Sequence, residues 1–136
     1  MRICIVDGRG GGLGSRLVEH LIAAVGHTHE IFALGTNRAA AEAMAKAGAM
    51  HIVVGEWGIV QTIREADLIL GSLSIVCAGS FLGEVTPGVA NAILQAPGRK
   101  LLLPLNRLGV EVIGVNSPNL EPLITQAVRR VQTILH

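Results

Sequence analysis

The sequence is poor in cysteine, in charge and in uncharged stretches of membrane-spanning length, and each shortage excludes a class of protein. Two cysteines, Cys4 and Cys77, imply no disulfide framework and favour a cytoplasmic location. Charged residues are 15% of the chain, the net charge is +1, and no run of lysine or arginine occurs, so we expect no nucleic-acid binding. The longest uncharged stretch, 68–83, is shorter than the roughly 20 residues of a membrane span, and no signal peptide is expected before the first strand.

Metal ligands are also scarce. His27 and His29 lie two positions apart in a predicted turn, but no third ligand lies near them in the sequence. A zinc site needs at least three protein ligands, so we expect no metal site and interpret the pair as part of a solvated turn.

Apolar residues, in contrast, are abundant. Half of the 136 residues are hydrophobic and the mean hydropathy is +0.53, which is too apolar for a disordered chain and suits one domain over residues 1–136. A domain this small and this apolar is expected to cover part of its surface with another subunit. The composition therefore predicts a homo-oligomer.

The most informative stretch is RICIVDGRGGGLGS, at residues 2–15, because it reads as a strand, a glycine loop and the start of a helix. Glycines allow a close backbone approach to a ligand, and a helix N-terminus stabilises phosphate. The spacing fits G-x-x-x-G-x-G, with Gly8, Gly12 and Gly14 for the turn, the pyrophosphate contact and the helix–strand packing. The predicted phosphate-binding residues are Gly8, Arg9, Gly10, Gly11, Gly12, Leu13 and Gly14. The alternative is a glycine-rich turn without a ligand.

This loop resembles the NAD(P)-binding loop of the short-chain dehydrogenases/reductases over the first third of the chain. That family uses a Tyr-x-x-x-Lys pair as its acid/base, and this chain has no tyrosine. Its lysines, Lys46 and Lys100, fall in a predicted helix and at the start of a strand. An Asn-Ala-Gly-like motif is also missing, so the resemblance implies a cofactor loop and not the family's chemistry.

Apolar runs without alternation, separated by helical segments, predict parallel strands buried on both faces. The predicted strands are 2–6, 30–34, 50–54, 67–70, 100–105 and 110–115. The predicted helices are 13–25, 38–47, 59–66, 87–95 and 120–135, and residues 71–83 are expected to be helical from about residue 75. The helix at 87 begins with a Thr86 cap and Pro87, and the last helix opens at Ser117, Pro118 and Asn119.

These elements predict an α/β, three-layer Rossmann-like fold with strand order 3-2-1-4-5-6. The turn at 106–109 is too short for a parallel crossover, so strands five and six should form an antiparallel hairpin. A flavodoxin-like order is the alternative, and the dinucleotide-type loop argues against it.

In such folds the loop after strand two meets the adenosine ribose of a dinucleotide. NAD-binding proteins place a carboxylate there, whereas this chain has Thr36, Asn37 and Arg38. Because Arg38 is able to pair with a 2′-phosphate, to which Thr36 and Asn37 could donate, we expect NADP as the cofactor, with NAD or another nucleotide as the alternative. The alternative for Arg38 is a solvated first-turn residue.

Other residues are expected at the same end of the sheet. Gly71 and Ser72, after strand four, should run beside the second ribose. Trp57 is expected either to stack on adenine or, in preference, to cover the edge of the core. Asn106 and Arg107 should either bind an anionic group or make the hairpin turn.

A catalytic set is not recognisable. The polar residues left near the predicted cleft are Asp7, Ser72, Ser74, Ser80, Glu84, Thr86, Asn106 and Arg107. Glu84 follows a long apolar run, and a partly desolvated carboxylate can act as a general base, so Glu84 is the weak catalytic candidate. The preferred alternative is a charge at a helix boundary.

The whole chain also resembles an uncharacterised family of short bacterial Rossmann-like proteins, classed as a domain of unknown function. The segments IVDGRGGGLG, ALGTNRAAAEAM, GEVTP and LLLPLNR carry this resemblance. It implies a cytoplasmic nucleotide-binding protein. The leading hypothesis is thus a nucleotide-binding protein, most of all for NADP(H). The alternatives are a small NADP-dependent oxidoreductase whose site a second subunit completes, and a structural subunit of a larger assembly.

Overall fold

The computed structural model describes residues 1–9, 11–115 and 119–136, in which strands and helices alternate. The strands are β1 (Arg2–Asp7), β2 (Glu30–Gly35), β3 (His51–Val54), β4 (Leu68–Ser72) and β5 (Arg99–Leu103). The helices are α1 (Gly12–Val25), α2 (Arg38–Lys46), α3 (Gly55–Ile63), α4 (Pro87–Gln95) and α5 (Leu120–Leu135), with a short 3₁₀ helix at Leu73–Val76.

All five strands are parallel and stand in the order β3-β2-β1-β4-β5. The expected order 3-2-1-4-5-6 is therefore confirmed for its first five strands. β1 lies at the centre. The chain runs from β1 through β2 to β3 at one edge, and the connection through α3 then returns it past β1 to β4 and β5 on the other side. The order reverses between β1 and β4, which is where α/β proteins of this kind open a crevice at the carboxyl ends of their strands.

Helices cover both faces of the sheet, because alternate side chains of each strand point to opposite faces. Ile3 and Ile5 of β1 pack with α1 and α5 on one face, whereas Cys4 and Val6 pack with α3 and α4 on the other. Each face of the central strand is thus buried, which explains the apolar runs without alternation. The three-layer expectation is confirmed in this respect.

The expected sixth strand is wrong: within the described part of the chain, residues 110–115 form no strand. Asn106 organises a local loop instead. Its side-chain oxygen accepts from the N–H groups of Leu108 and Val110 at 2.9 and 3.1 Å, and its amide donates to Val110 O at 2.8 Å. Gly109 and Gly114, at φ +74° and +102°, turn the backbone away from an extended path, so a strand-like apolar pattern is left exposed.

The helices follow the predictions with two main differences. α4 begins as expected, with the Thr86 hydroxyl accepting from Val89 N–H at 3.1 Å and proline at the first helical position. However, α3 begins at Gly55 rather than at residue 59, with Glu56 in the first turn, where a negative charge favours the helix. The expected helix from residue 75 is limited to the 3₁₀ turn at Leu73–Val76, and turns follow it.

The predicted opening of the last helix at Ser117 and Pro118 lies outside the described residues. None of the described helices is both long and apolar enough to span a bilayer.

Candidate functional site

The glycine loop joins β1 to α1 beside the point where the strand order reverses. Gly11 N–H donates to Gly8 O at 3.0 Å, which closes a turn, and Gly11 at φ +72° is the N-cap of α1. Gly14 lets the helix approach the strand: a Cβ there would lie 2.5 Å from Met44 Sδ and 3.0 Å from Asp7 Cβ. Gly12 is different, since no described atom lies within 4 Å of its Cβ position. Gly10 lies outside the described residues.

Asp7, the last residue of β1, turns its carboxylate towards the start of α1. Its Oδ1 accepts from Gly8 N–H at 2.8 Å and its Oδ2 from Gly14 N–H at 2.7 Å. Burial raises the pKa of Asp7, and the two backbone hydrogen bonds offset part of this effect. The N–H of Gly14 is therefore already used, whereas Gly12 and Leu13, as the first two helical residues, have no acceptor within the helix.

A cleft of about 340 Å³ opens at the carboxyl ends of β1, β4 and β5. We call it the central cleft, and it is lined by Asp7, Arg9, Leu13, Ser72, Ser74, Ser80, Phe81, Leu105, Asn106, Arg107, Leu108 and Leu120. Arg9 and Arg107 are exposed and supply positive charge from two different loops. Arg9 holds φ +52°, a conformation that is uncommon outside glycine and concentrated at functional sites.

Three buried serines line the same cleft. Ser72 and Ser74 are 7% and 5% exposed and come from the end of β4 and the 3₁₀ turn after it. Ser80 is 3% exposed, and its Oγ has no hydrogen-bond partner among the described residues. A buried hydroxyl without a partner is costly, which makes Ser80 a candidate for ligand contact.

The end of β4 is shaped for close packing. A Cβ on Gly71 would lie 2.8 Å from Val6 O on the neighbouring strand β1, so glycine is needed to keep the two strands in contact. Of the two residues expected beside the second ribose, Ser72 lines the central cleft, whereas Gly71 is buried and does not line it.

At the end of β2 the structure brings Thr36 and Asn37 together with Glu84. Thr36 Oγ1 donates to Glu84 Oε1 at 2.9 Å, and Asn37 Nδ2 donates to the same oxygen at 3.0 Å. Asn37 also caps α2 through Ala40 N–H at 2.8 Å. Arg38 is at the exposed start of α2 and pairs with Glu42 at 3.8 Å. The groups expected to surround a 2′-phosphate thus surround a carboxylate of the protein.

Two expectations about single residues need correction. Glu84 is exposed, so the desolvated carboxylate that made it a base candidate is not present, and it is not among the residues that line the central cleft. Trp57 is 79% exposed in the first turn of α3, so the preferred expectation that it covers the core is wrong. In each case the local backbone places the side chain in solvent, although neighbouring residues in the sequence are apolar.

A second and larger groove of about 540 Å³ lies along the outer edge of β5 and α5, away from the glycine loop. It is bordered by Leu101, Leu103 and Leu123 together with Lys100 and Arg130. It collects none of the residues that the sequence assigned to a site, and it does not lie at the strand ends. The central cleft therefore remains the candidate site.

Sequence reasoning left part of this site unassigned. Ser74 and Ser80 were expected near the cleft without a binding role, Asn106 and Arg107 were expected either to bind an anionic group or to make a hairpin turn, and Phe81 was not foreseen at all. The signal for Asn106 and Arg107 was their position directly after a buried strand. Phe81 carries no such signal, because its contact with Gly8 is made between residues 73 positions apart in the chain.

Comparison with protein families supports the resemblance suggested by the sequence. The model of a domain of unknown function, DUF3842, matches residues 2–136. The chain belongs to this family. Its description names no activity, so the DUF3842 chain's function has to be argued from the site. No curated protein gives a match.

Three solved structures show what the fold is similar to. A nucleoside-diphosphate-sugar epimerase from Pseudomonas aeruginosa aligns with 96% of this chain and 46% of its own, at 17% identity and a TM-score of 0.50. A dodecameric FMN-dependent UbiX-like decarboxylase from Escherichia coli O157:H7 aligns over 97% and 76%, at 13% identity and a TM-score of 0.48. A universal stress protein in complex with cAMP aligns over 73% and 94%, at 25% identity and a TM-score of 0.36. The chain spans about half of the epimerase, and that likeness shows a Rossmann-like fold alone.

Proposed function

We propose that this DUF3842 protein binds a nucleotide-type, phosphate-bearing small molecule in the central cleft. The observation that carries the proposal is that three groups suited to a phosphate line one cavity beside the N-terminus of α1. They are the guanidinium groups of Arg9 and Arg107 and the hydroxyl of Ser80, which has no hydrogen-bond partner among the described residues. Guanidinium groups and helix N-terminal N–H groups both favour phosphate. The position at the reversal of strand order is where α/β proteins bind nucleotides.

The test is equilibrium binding by calorimetry with a panel of NADP, NAD, FMN and 5′-AMP. A hydrogen bond from a charged group contributes about 1.5–3 kcal/mol, so Arg107→Gln should weaken the best ligand roughly 10- to 100-fold. Arg129→Gln, on the exposed side of α5, is the matched control and should leave binding unchanged. Equal effects of the two substitutions, or no binding by any member of the panel, would contradict the proposal.

NADP is the finer ligand that the sequence favours, through Arg38, Thr36 and Asn37. The Arg38 side chain is 77% exposed and is accessible to an anion. However, Thr36 and Asn37 donate to Glu84, whose negative charge would repel a 2′-phosphate. We therefore rank NADP behind ligands without that phosphate, and the NADP-dependent oxidoreductase loses its candidate base because Glu84 is exposed.

We further propose that copies of this chain associate through the outer edge of β3. This strand pairs with β2 alone among the described strands, so its other edge offers unpaired backbone groups. Met50, Ile52, Val54 and Trp57 are 46%, 50%, 40% and 79% exposed around it. Sedimentation should show an oligomer that Ile52→Lys reduces to the monomer, and a wild-type monomer at high concentration would contradict this.

We also propose a cytoplasmic location. The two free cysteines, buried Cys4 and half-buried Cys77, are consistent with a reducing compartment.

A further inference from the structure

The segment at residues 77–86 lies across the route that a dinucleotide takes in this fold. We infer that the central cleft takes a single phosphate-bearing unit of mononucleotide size, because Phe81 and Glu84 of this segment occupy the place of the second nucleoside. This inference rests on the proposed function and names the ligand class for the same site.

A dinucleotide in a Rossmann-type fold needs two surfaces in addition to the crevice. Its pyrophosphate crosses the first β–α turn, and one of its nucleosides lies over the end of the strand next to β1. In this chain those surfaces are the glycine loop from Gly8 onward and the end of β2 at Thr36. Whatever covers them decides how much of a dinucleotide the site accepts.

Phe81 covers the start of the first surface, at Gly8. Its Cδ2 lies 2.5 Å from the position of a Cβ on Gly8, at the same distance as Thr36 Oγ1 from that position. The half-buried Phe81 ring therefore packs directly on Gly8, between the end of β2 and the central cleft that it also lines. It forms a wall between the two halves of the expected dinucleotide site.

Glu84 covers the second surface. Its Oε1 accepts from Thr36 at 2.9 Å and from Asn37 at 3.0 Å, so the two donors available to a ribose or a 2′-phosphate are already paired. An incoming ligand would have to displace this carboxylate, and one that carries a 2′-phosphate would meet it as a like charge.

The segment is held in this position by its own hydrogen bonds. Gly79 N–H donates to Val85 O at 2.8 Å and Val85 N–H donates to Ser80 O at 3.0 Å, while the Val85 side chain is fully buried. Phe81 and Leu82 have φ of +56° and +54°, and two successive left-handed residues other than glycine occur where the surroundings enforce them. The wall is thus a built feature of the fold.

The size of the cavity agrees with this reading. Small-molecule sites span about 300–1,000 Å³, and the central cleft, at about 340 Å³, is near the lower limit. It suits a phosphate with one ring system. Arg9 and Arg107 line this cleft together with Phe81.

The experiment compares each dinucleotide with its own halves by calorimetry. The probes are 5′-AMP, nicotinamide mononucleotide and FMN against NAD and FAD. We expect one mononucleotide to bind at least tenfold more tightly than any dinucleotide that contains it. Phe81→Ala and Glu84→Ala should each reduce this ratio at least threefold, and together at least tenfold. Because Glu84 does not line the central cleft, Glu84→Ala should also leave the affinity for the mononucleotide nearly unchanged.

Leu82→Ala is the matched control, because Leu82 has the same left-handed backbone but is 93% exposed. It should leave the ratio unchanged. If wild-type protein binds a dinucleotide as tightly as its halves, or if Phe81→Ala and Glu84→Ala leave the ratio unchanged, the inference is wrong while the proposed function stands. If neither kind of nucleotide binds, both fail. Glu84→Ala changes an exposed side chain, so it tests the wall even if Phe81→Ala does not fold.

Discussion

The same substitution at two positions of the glycine loop should have opposite effects on stability. Gly12 and Gly14 both lie in the first turn of α1, and neither has a positive φ. In Gly12→Ala the new Cβ meets no described atom within 4 Å, so the smaller entropy of the unfolded chain should stabilise the protein by about 0.5–1 kcal/mol. In Gly14→Ala the Cβ would press on Met44 Sδ at 2.5 Å and on Asp7 at 3.0 Å.

The size of the second effect follows from burial. Met44 is fully buried and Asp7 is 7% exposed, so neither can move freely to make room. Overpacking lowers the free energy of unfolding by about 1–3 kcal/mol, and the better helix propensity of alanine offsets less than about 1 kcal/mol of this loss. We expect Gly14→Ala to be roughly 1–2 kcal/mol less stable than wild type, or about 4–8 °C lower in Tm for a domain of this size.

The assay is urea unfolding of the three proteins, followed by a thermal-shift titration with the best nucleotide of the binding panel. Gly12→Ala should unfold at higher urea than wild type, yet show a smaller ligand-induced shift, because its methyl group projects into the space where a phosphate approaches the helix. A loss of stability in Gly12→Ala as large as that in Gly14→Ala would refute the reasoning about space. An unchanged ligand shift would refute the phosphate position.

Two further predictions concern Asp7 and the cap of α4. Burial raises the pKa of Asp7 above its ordinary 3.8, so the folded state binds this proton more tightly than the unfolded state does. The stabilisation from this proton is full below pH 3.8 and is lost as the pH rises through the pKa of the folded state. In urea titrations, wild type should therefore lose stability relative to Asp7→Asn over that pH range. A gain in stability instead would mean that the hydrogen bonds from Gly8 and Gly14 outweigh the effect of burial on the pKa of Asp7. Thr86→Ala removes the acceptor for Val89 N–H and should cost about 1 kcal/mol by thermal unfolding, whereas Thr86→Ser should retain most of it; equal losses would exclude the cap.

The first five strands, the cap of α4 and the glycine loop were predictable because they depend on local signals. Buried parallel strands need apolar residues on both faces, so β1 and β4 are recognisable in the sequence as unbroken apolar runs. Two adjacent residues, Thr86 and Pro87, predict the N-terminal cap of α4. The strand order had a different basis, because the right-handed crossovers set only the layers, and the order 3-2-1-4-5-6 was preferred to a flavodoxin-like order on the dinucleotide-type glycine loop. These inferences need no knowledge of distant contacts.

The errors arose where an element depends on residues far away or on a single turn. Residues 110–115 have the composition of a strand, but a strand forms only if an edge receives it, and the side chain of Asn106 holds its local loop instead. Glu84 follows an apolar segment in the sequence, yet the turns before it place its carboxylate in solvent beside Thr36, 48 positions earlier.

The sequence by itself determined the layers of this protein, the places of its five described strands and the glycine-rich turn between the first strand and the first helix. Periodicity and turn chemistry act over a few residues, so they can be read along the chain. Only the tertiary structure decided what surrounds that loop: that Arg107 and Ser80 face it, and that Phe81 and Glu84 close its β2 side. Those contacts join distant segments, and their geometry depends on the packed sheet that brings the strand ends together.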